Sequence, residues 1–272
     1  MRRTPKWLNS KPGIVFIAVI GLLWLLSHVK KKEVLPPPMQ SNPASTAQSQ
    51  DVERAGPRIY ATRADFDFYL LALSWHPAFC ADGHENQPEC QVRQPHPLAI
   101  HGLWPEKLAA GAYPHDCRAP RLDLAPALAH ELEAYMPGME ANLHEHEWRT
   151  HGGCSGLDDD LYFQQTLDRA RNLDAALRAE LTSLAGRETT AATLRAAAEE
   201  YAPGLGATFV LQCRTLRDAP AAWRNRPFLV EVRQCIDDDG PNAAPGTLLD
   251  CESVGRRDQG CGAAFRIAEL SR

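Results

Sequence analysis

Eight cysteines, at positions 80, 90, 117, 154, 213, 235, 251 and 261, all lie downstream of an apolar N-terminal segment, and this arrangement constrains the fold more than any other feature. In an exported domain an even set of cysteines is read as a disulfide framework, here of four bridges. Spacing alone does not choose among the many possible pairings. Zinc is the rival use of cysteine and histidine, but the chain contains no C-x-x-C pair.

Export itself is read from the N-terminus. Arg2, Arg3, Lys6 and Lys11 precede GIVFIAVIGLLWLLSHV, Gly13 to Val29, a run of 17 residues that is close to the lower limit for a membrane-spanning helix. The segment reads either as a cleaved signal peptide or as an uncleaved signal anchor. Where a small-x-small cleavage site would stand there are Ser27, His28 and Lys30 to Lys32, which favours the anchor. Positive charge is heavier before the span, so residues 1–12 are expected in the cytoplasm and the rest on the periplasmic or extracellular side. Residues 30–60, with Pro36 to Pro38 and QSNPASTAQSQ, have no periodicity and read as a disordered tether. Residues 61–272 remain for one domain, and 44% hydrophobic residues are enough for its core.

Charge is divided unevenly. Residues 1–32 hold seven Lys or Arg and no acid, which leaves 22 basic against 34 acidic residues in the rest, a net of −12. Such a body attracts polyanions weakly at a distance, because affinity for nucleic acid rests on Lys and Arg neutralising phosphates. Any RNA contact has to be local.

Within the domain, Phe66 to Trp75 reads as a buried strand and Leu98 to His101 as a second, shorter one. Helices are expected over Leu124 to Met136, stopped by Pro137 and Gly138, over Asp159 to Ala185 behind a run of three aspartates, and over Thr190 to Tyr201. Ala207 to Cys213, Phe228 to Cys235 and Ala264 to Leu270 read as strands. This order of helices and strands predicts an α+β domain.

Two histidine motifs stand out, AIHGLWP from Ala99 to Pro105 and HEHEWRTHGGC from His144 to Cys154. In the second, Asn142 can cap a short helix from Leu143 to about Thr150, and Gly152 and Gly153 can end it by taking a left-handed conformation. Glu147 and His151 are four residues apart and share a helix face. The carboxylate and the negative end of the helix dipole would both favour a protonated His151. His146 lies about 140° round the axis from His151.

The two motifs together resemble the active-site segments of the ribonuclease T2 family. The first is intact from Ile100 to Pro105; the second keeps His146, Glu147, Trp148, His151, Gly152 and Cys154. FDFYLLALSWHPAFC, from Phe66 to Cys80, is similar to the family's first core strand and first cysteine. The resemblance implies a single disulfide-stapled α+β domain with a central antiparallel sheet and flanking helices. It also implies the bridges Cys80–Cys90, Cys117–Cys154, Cys213–Cys261 and Cys235–Cys251.

The activity implied is metal-free endonucleolytic cleavage of single-stranded RNA, with no cofactor and no protein partner required of a monomer. RNA carries its own nucleophile, the 2′-hydroxyl, so a base and an acid suffice; two imidazoles with pKa about 6.5 suit that work. His151 is expected as base and His101 as acid, with His146 and Glu147 on the phosphate. Trp104 and Glu106 would contact the base, although Trp104 can equally be a packing residue. Trp148 is expected in the core, and His96, His115, His130 and His144 on the surface.

One position departs from the family pattern. The lysine that usually precedes the second catalytic histidine, where it neutralises the pentacoordinate phosphate, is replaced by Thr150. Either Arg149 takes over, or the enzyme is slow; a cation at 149 is rotated about 100° from one at 150. Two other functional classes follow from the same residues. One is a metal-dependent hydrolase built on His144, His146, Glu147 and His151, although H-E-x-x-x-H is one residue too long for the metalloprotease helix. The other is a membrane-tethered RNA-binding module without catalysis.

Overall fold

The computed structural model describes residues 63–109, 111, 113–238 and 247–270. The expected membrane segment and tether lie outside these residues, among which no helix is long and apolar enough to cross a membrane.

The first strand, β1 (Phe68–Trp75), is the axis of the domain. It lies between β2 (Leu98–Glu106) and β5 (Phe228–Asp237), antiparallel to both. Its two faces are buried differently. Tyr69, Leu71, Leu73 and Trp75 enter the main core, whereas Phe68 and Leu70 pack with Val210, Val254 and the Cys235–Cys251 bridge in a smaller one. A strand covered on both faces has no polar alternation, and FYLLALSW has almost none.

Beyond β5 the sheet continues to β6 (Phe265–Arg266) and β3 (Glu188–Thr189), and β4 (Phe209–Arg214) also pairs with β5. Every pairing is antiparallel except the short contact of β5 with β6. β2 forms one edge. It runs five residues past the expected end at His101 and includes Pro105, which an edge strand tolerates because no ladder hydrogen bond is needed from that side.

Among the described residues five α-helices join the sheet: α1 (His76–Cys80), α2 (Pro126–Glu133), α3 (Leu143–Thr150), α4 (Asp159–Ser183) and α5 (Ala191–Tyr201). The α1 turn, which begins at the end of β1 and carries Pro77 in its first turn, is absent from the sequence expectation. The aspartates before α4 do more than meet its dipole. Asp158 accepts from the Leu161 N–H at 2.8 Å, while Asp159 and Asp160 accept from the backbone N–H groups of Asp123 (2.7 Å) and Ala125 (2.8 Å), fastening the 123–125 segment to the helix. Further along, Tyr162, Phe163, Leu167, Leu173, Leu177 and Leu181 enter the core. The Tyr162 hydroxyl donates to the Leu103 carbonyl at 2.6 Å and ties α4 to β2.

All four disulfides pair as the family resemblance implied. His96 is a correction to the surface expectation. It stacks on Tyr135 with ring centroids 3.7 Å apart, and its Nδ1 lies 3.1 Å from Oδ2 of the fully buried Asp174. A buried carboxylate needs such partners, and Arg178 is the second.

Candidate active site

His101 is placed by a break in the sheet. Along the β1–β2 ladder Ala72 faces Gly102 and Leu73 faces Ile100, so His101 is the extra residue of a bulge on the edge strand. A bulge re-aims its side chain out of the regular pleat. Nδ1 of His101 lies 2.7 Å from Glu231 Oε1 on β5, and Nε2 lies 3.8 Å from Glu147 Oε1.

Two residues along β5 on the same face, Arg233 donates Nε and Nη2 to the other Glu231 oxygen at 2.8 and 2.6 Å. Burial alone would raise the Glu231 pKa. The hydrogen bonds and charges of His101 and Arg233 outweigh it and hold the carboxyl at about 2. Ionised Glu231 is acceptor only, so His101 carries a proton on Nδ1. For His101 burial pushes the pKa down, but the Glu231 hydrogen bond and the charges of Glu231 and Glu147 more than offset this, and the net shift is upward.

The second motif supplies the opposite wall. Helix α3 has the expected bounds, but Asn142 is in the left-handed conformation, with φ 62°, and its side chain caps nothing. Glu147 and Trp148 are the buried pair of this helix. Trp148 is a core residue whose indole N–H donates to the Pro120 carbonyl at 2.9 Å. Glu147 Oε2 accepts from the Trp104 indole N–H at 2.8 Å. Gly102 makes that contact possible, since a Cβ there would lie 2.0 Å from Glu147 Oε2 and 2.6 Å from Trp104 Nε1. The glycine after His101 is therefore a space requirement.

The glycines after His151 also act through space. Neither Gly152 nor Gly153 is left-handed, contrary to the sequence expectation; they continue into a 3-10 turn ending at Cys154. A Cβ on Gly152 would come within 2.4 Å of the Trp148 ring. The Cys117–Cys154 bridge then ties this turn to the 117 segment.

His151 follows the last residue of α3, and its N–H donates to the Glu147 carbonyl at 2.9 Å. Its Nε2 is 4.0 Å from Glu147 Oε2, and its buried Nδ1 has no hydrogen-bond partner in the protein. Burial first, and then the charges of His101 and His146, lower its pKa to about 4. This corrects the expectation of a protonated His151. Glu147 is engaged by Trp104 and shared with His101, and burial raises its own pKa, so it cannot hold a proton on the second imidazole.

Trp104 sits between the two imidazoles, with centroid distances of 5.1 Å to His101 and 5.4 Å to His151. His101, His146, Glu231 and Arg233 border a cavity of about 810 Å³. The other two expected binding residues each have a charged neighbour. Glu106 accepts from Arg256 at 2.8 Å, while Arg149 is exposed and acts on Asp116. His144 is half-buried, and burial lowers its pKa, so it too departs from the surface expectation. His115 and His130 are exposed, as expected.

Among the described residues His144, His146, Glu147 and His151 do not converge to metal-ligand spacing. The group that does, His76 with Cys80 and Cys90, has its two sulfurs joined in a disulfide.

Glu231 and Arg233 escaped the sequence reading. A signal was present: opposite charges two apart in the apolar strand FLVEVRQC must share one face, and charges within a buried strand require partners.

The sequence profile of the ribonuclease T2 family matches residues 66–251, a span that contains both histidine motifs and Glu231. The chain belongs to this family. A ribonuclease of Aeromonas hydrophila is 31% identical over 186 residues, covering 66% of this chain and 75% of the relative. Ribonuclease MC of Momordica charantia is 29% identical over 212 residues, covering 74% of this chain and 99% of the relative. Ribonuclease I of Escherichia coli is 29% identical over 136 residues, and the match spans about half of its length, 51%.

Among solved structures, ribonuclease MC1 from the seeds of bitter gourd superposes with a TM-score of 0.58 at 26% identity, over 74% of this chain and 100% of that one. The ribonuclease T2 domain described here is accordingly an endoribonuclease of that type, with the mixed helix and sheet architecture of its relatives. The metal-hydrolase and binding-module readings are not favoured.

Proposed function

We propose that the domain cleaves single-stranded RNA without metal, by attack of a 2′-hydroxyl on the adjacent phosphodiester to give a 2′,3′-cyclic phosphate and then a 3′-phosphate end. The observation that carries this reading is the opposite electrostatic setting of two imidazoles across one indole.

A base must be neutral to take the 2′-hydroxyl proton, and His151, with its pKa near 4, is neutral at any working pH above that. An acid must be charged to protonate the leaving 5′-oxygen. His101, whose Nδ1 is bound to Glu231, keeps that charge and has Nε2 left to deliver the proton. In the second step the same groups exchange roles, with His101 activating water and His151 protonating the departing 2′-oxygen. Glu147 stays between them, oriented by Trp104. His146, at the solvent side of the cavity, meets the phosphate. Deoxyribose lacks the nucleophile, which excludes DNA.

Base contacts are assigned to Trp104, which is half-buried, and to Glu106, two residues on along the same face of β2 and oriented by Arg256. Stacking on an indole tolerates any base, so sequence preference is weak. Four disulfides suit an oxidising compartment, which supports export by the N-terminal segment and action on the periplasmic or extracellular side, either anchored or released. The reading is tested by incubating the domain with RNA in excess chelator and determining the product ends by mass. Cyclic-phosphate termini are expected. Products with 5′-phosphates, or no cleavage until a divalent metal is added, would overturn it.

A further inference from the structure

A phosphodiester that enters this cleft brings one negative charge, and the phosphorane formed from it gains a second. Glu231 cancels the charge of protonated His101, and Glu147 adds no positive charge in either protonation state, so these groups offer a doubly charged transition state no net positive charge. The position before His151, where a lysine would answer this, is Thr150.

Among the described residues, the other guanidinium and ammonium groups near the cleft are occupied or misplaced. Arg149 is exposed and acts on Asp116. Arg214 reaches the same cavity but pairs with Asp82 at 2.8 Å, and its side chain is 57% exposed. Arg256 is held by Glu106. Lys107 pairs with Asp65.

Arg233 differs from all of these. Its side chain is 29% exposed and its guanidinium carbon lies 5.1 Å over the Trp104 ring, within the group formed by Trp104 and the two imidazoles. Its two contacts with Glu231 use Nε and Nη2 on a single oxygen, Oε2; Nη1 takes part in neither, and the residue borders the cavity shared by His101 and His146. A guanidinium fixed at one edge and stacked on an indole is a preorganised donor, which loses little entropy on meeting an anion.

We propose that Arg233 is a catalytic cation of this site: it bonds the scissile phosphate through its remaining N–H groups and neutralises the charge that develops on the phosphorane, from the sheet side of the cleft, while the helix position next to His151 stays uncharged. This rests on the reading of the cleft as a transesterification site.

The test is a double-mutant cycle in steady-state kinetics on RNA, with the disulfides of each variant verified by mass. Wild-type protein is first scored for cyclic-phosphate ends; their absence defeats the reading of the cleft itself and not the assignment of Arg233 alone. Given those ends, Arg233→Gln is expected to lower kcat on the order of a hundredfold, the effect typical of losing one transition-state donor, with KM changed far less. Glu231→Gln sets the second background, in which no unpaired buried carboxylate remains, so the double variant stays informative if Arg233→Gln alone folds poorly. If Arg233 meets the phosphate, Arg233→Gln still lowers kcat at least tenfold there. No loss in either background, or a loss only while Glu231 is present, would show that the arginine merely neutralises Glu231 and would overturn the proposal.

Discussion

The two imidazoles of the cleft are the same side chain in opposite surroundings. His101 sits on a bulge of an edge strand, with Glu231 against Nδ1 and Glu147 near Nε2. His151 ends a helix, buried, with an unpartnered Nδ1 and with cations as its strongest charged neighbours. Carboxylates raise the first pKa while burial and repulsion lower the second. The difference teaches that sharing a helix face with a carboxylate does not by itself protonate a histidine. Glu147 is on the same face as His151, yet its oxygens serve Trp104 and His101.

This contrast can be broken most directly by removing either ring. His101→Ala and His151→Ala are each expected to lower kcat by about 10²- to 10⁴-fold with the fold kept, measured by RNA cleavage alongside circular dichroism. Near-full activity in both variants would end the assignment. Next in size is Gly102→Ala, which drives a methyl into Glu147 Oε2 and separates the carboxylate from Trp104. A displacement of about 1 Å in such a site costs on the order of a hundredfold in rate. A crystal structure with the Trp104–Glu147 bond intact, together with unchanged kcat, would refute this.

The His151 side depends in addition on a covalent staple, so Cys117→Ser with Cys154→Ser should reduce stability by about 2 to 5 kcal/mol in denaturant titration. Unchanged stability would show that the turn after α3 holds itself.

Smaller effects sharpen the comparison through pH. The proposed roles require neutral His151 and charged His101, so kcat/KM should rise with pH through about 4 and fall again above the raised pKa of His101. Glu231→Gln removes the partner that raises His101, so the descending limb should move to lower pH while the ascending limb stays in place. Movement of the ascending limb alone would interchange the two roles. The smallest effect is expected of Arg149→Ala, within about twofold of wild type, because an exposed charge outside the cluster is screened by solvent and salt.

Several features were legible because their causes are local. The span of α3 follows from helix-forming residues between Asn142 and the glycines, and α4 from an aspartate cap before an amphipathic run. The buried strand β1 was evident from an apolar run too short for a core helix. The disulfide pairing was not open to spacing arguments and came from the family resemblance. Both glycine predictions at the end of α3 had the wrong mechanism. A left-handed stop is a local rule, whereas the actual requirement, room for the Trp148 ring at Gly152 and for Ala119 and the Cys117 carbonyl at Gly153, arises only once the chain has turned back on itself.

The sequence by itself therefore determined the chemistry available: two histidine motifs, a carboxylate one helical turn from the second imidazole, an even cysteine set, and no lysine at position 150. Only the tertiary structure decided that the two imidazoles sit in opposite electrostatic surroundings, on which the proposed acid and base roles rest. That decision rests on Glu231, which is 130 residues from His101 in the chain and reaches it through the register of β5 on β1 and the bulge of β2. Local backbone preferences extend over a few residues, whereas a pKa is set by every charge and by the amount of water within several ångströms, and those neighbours are chosen by the packing of the whole sheet.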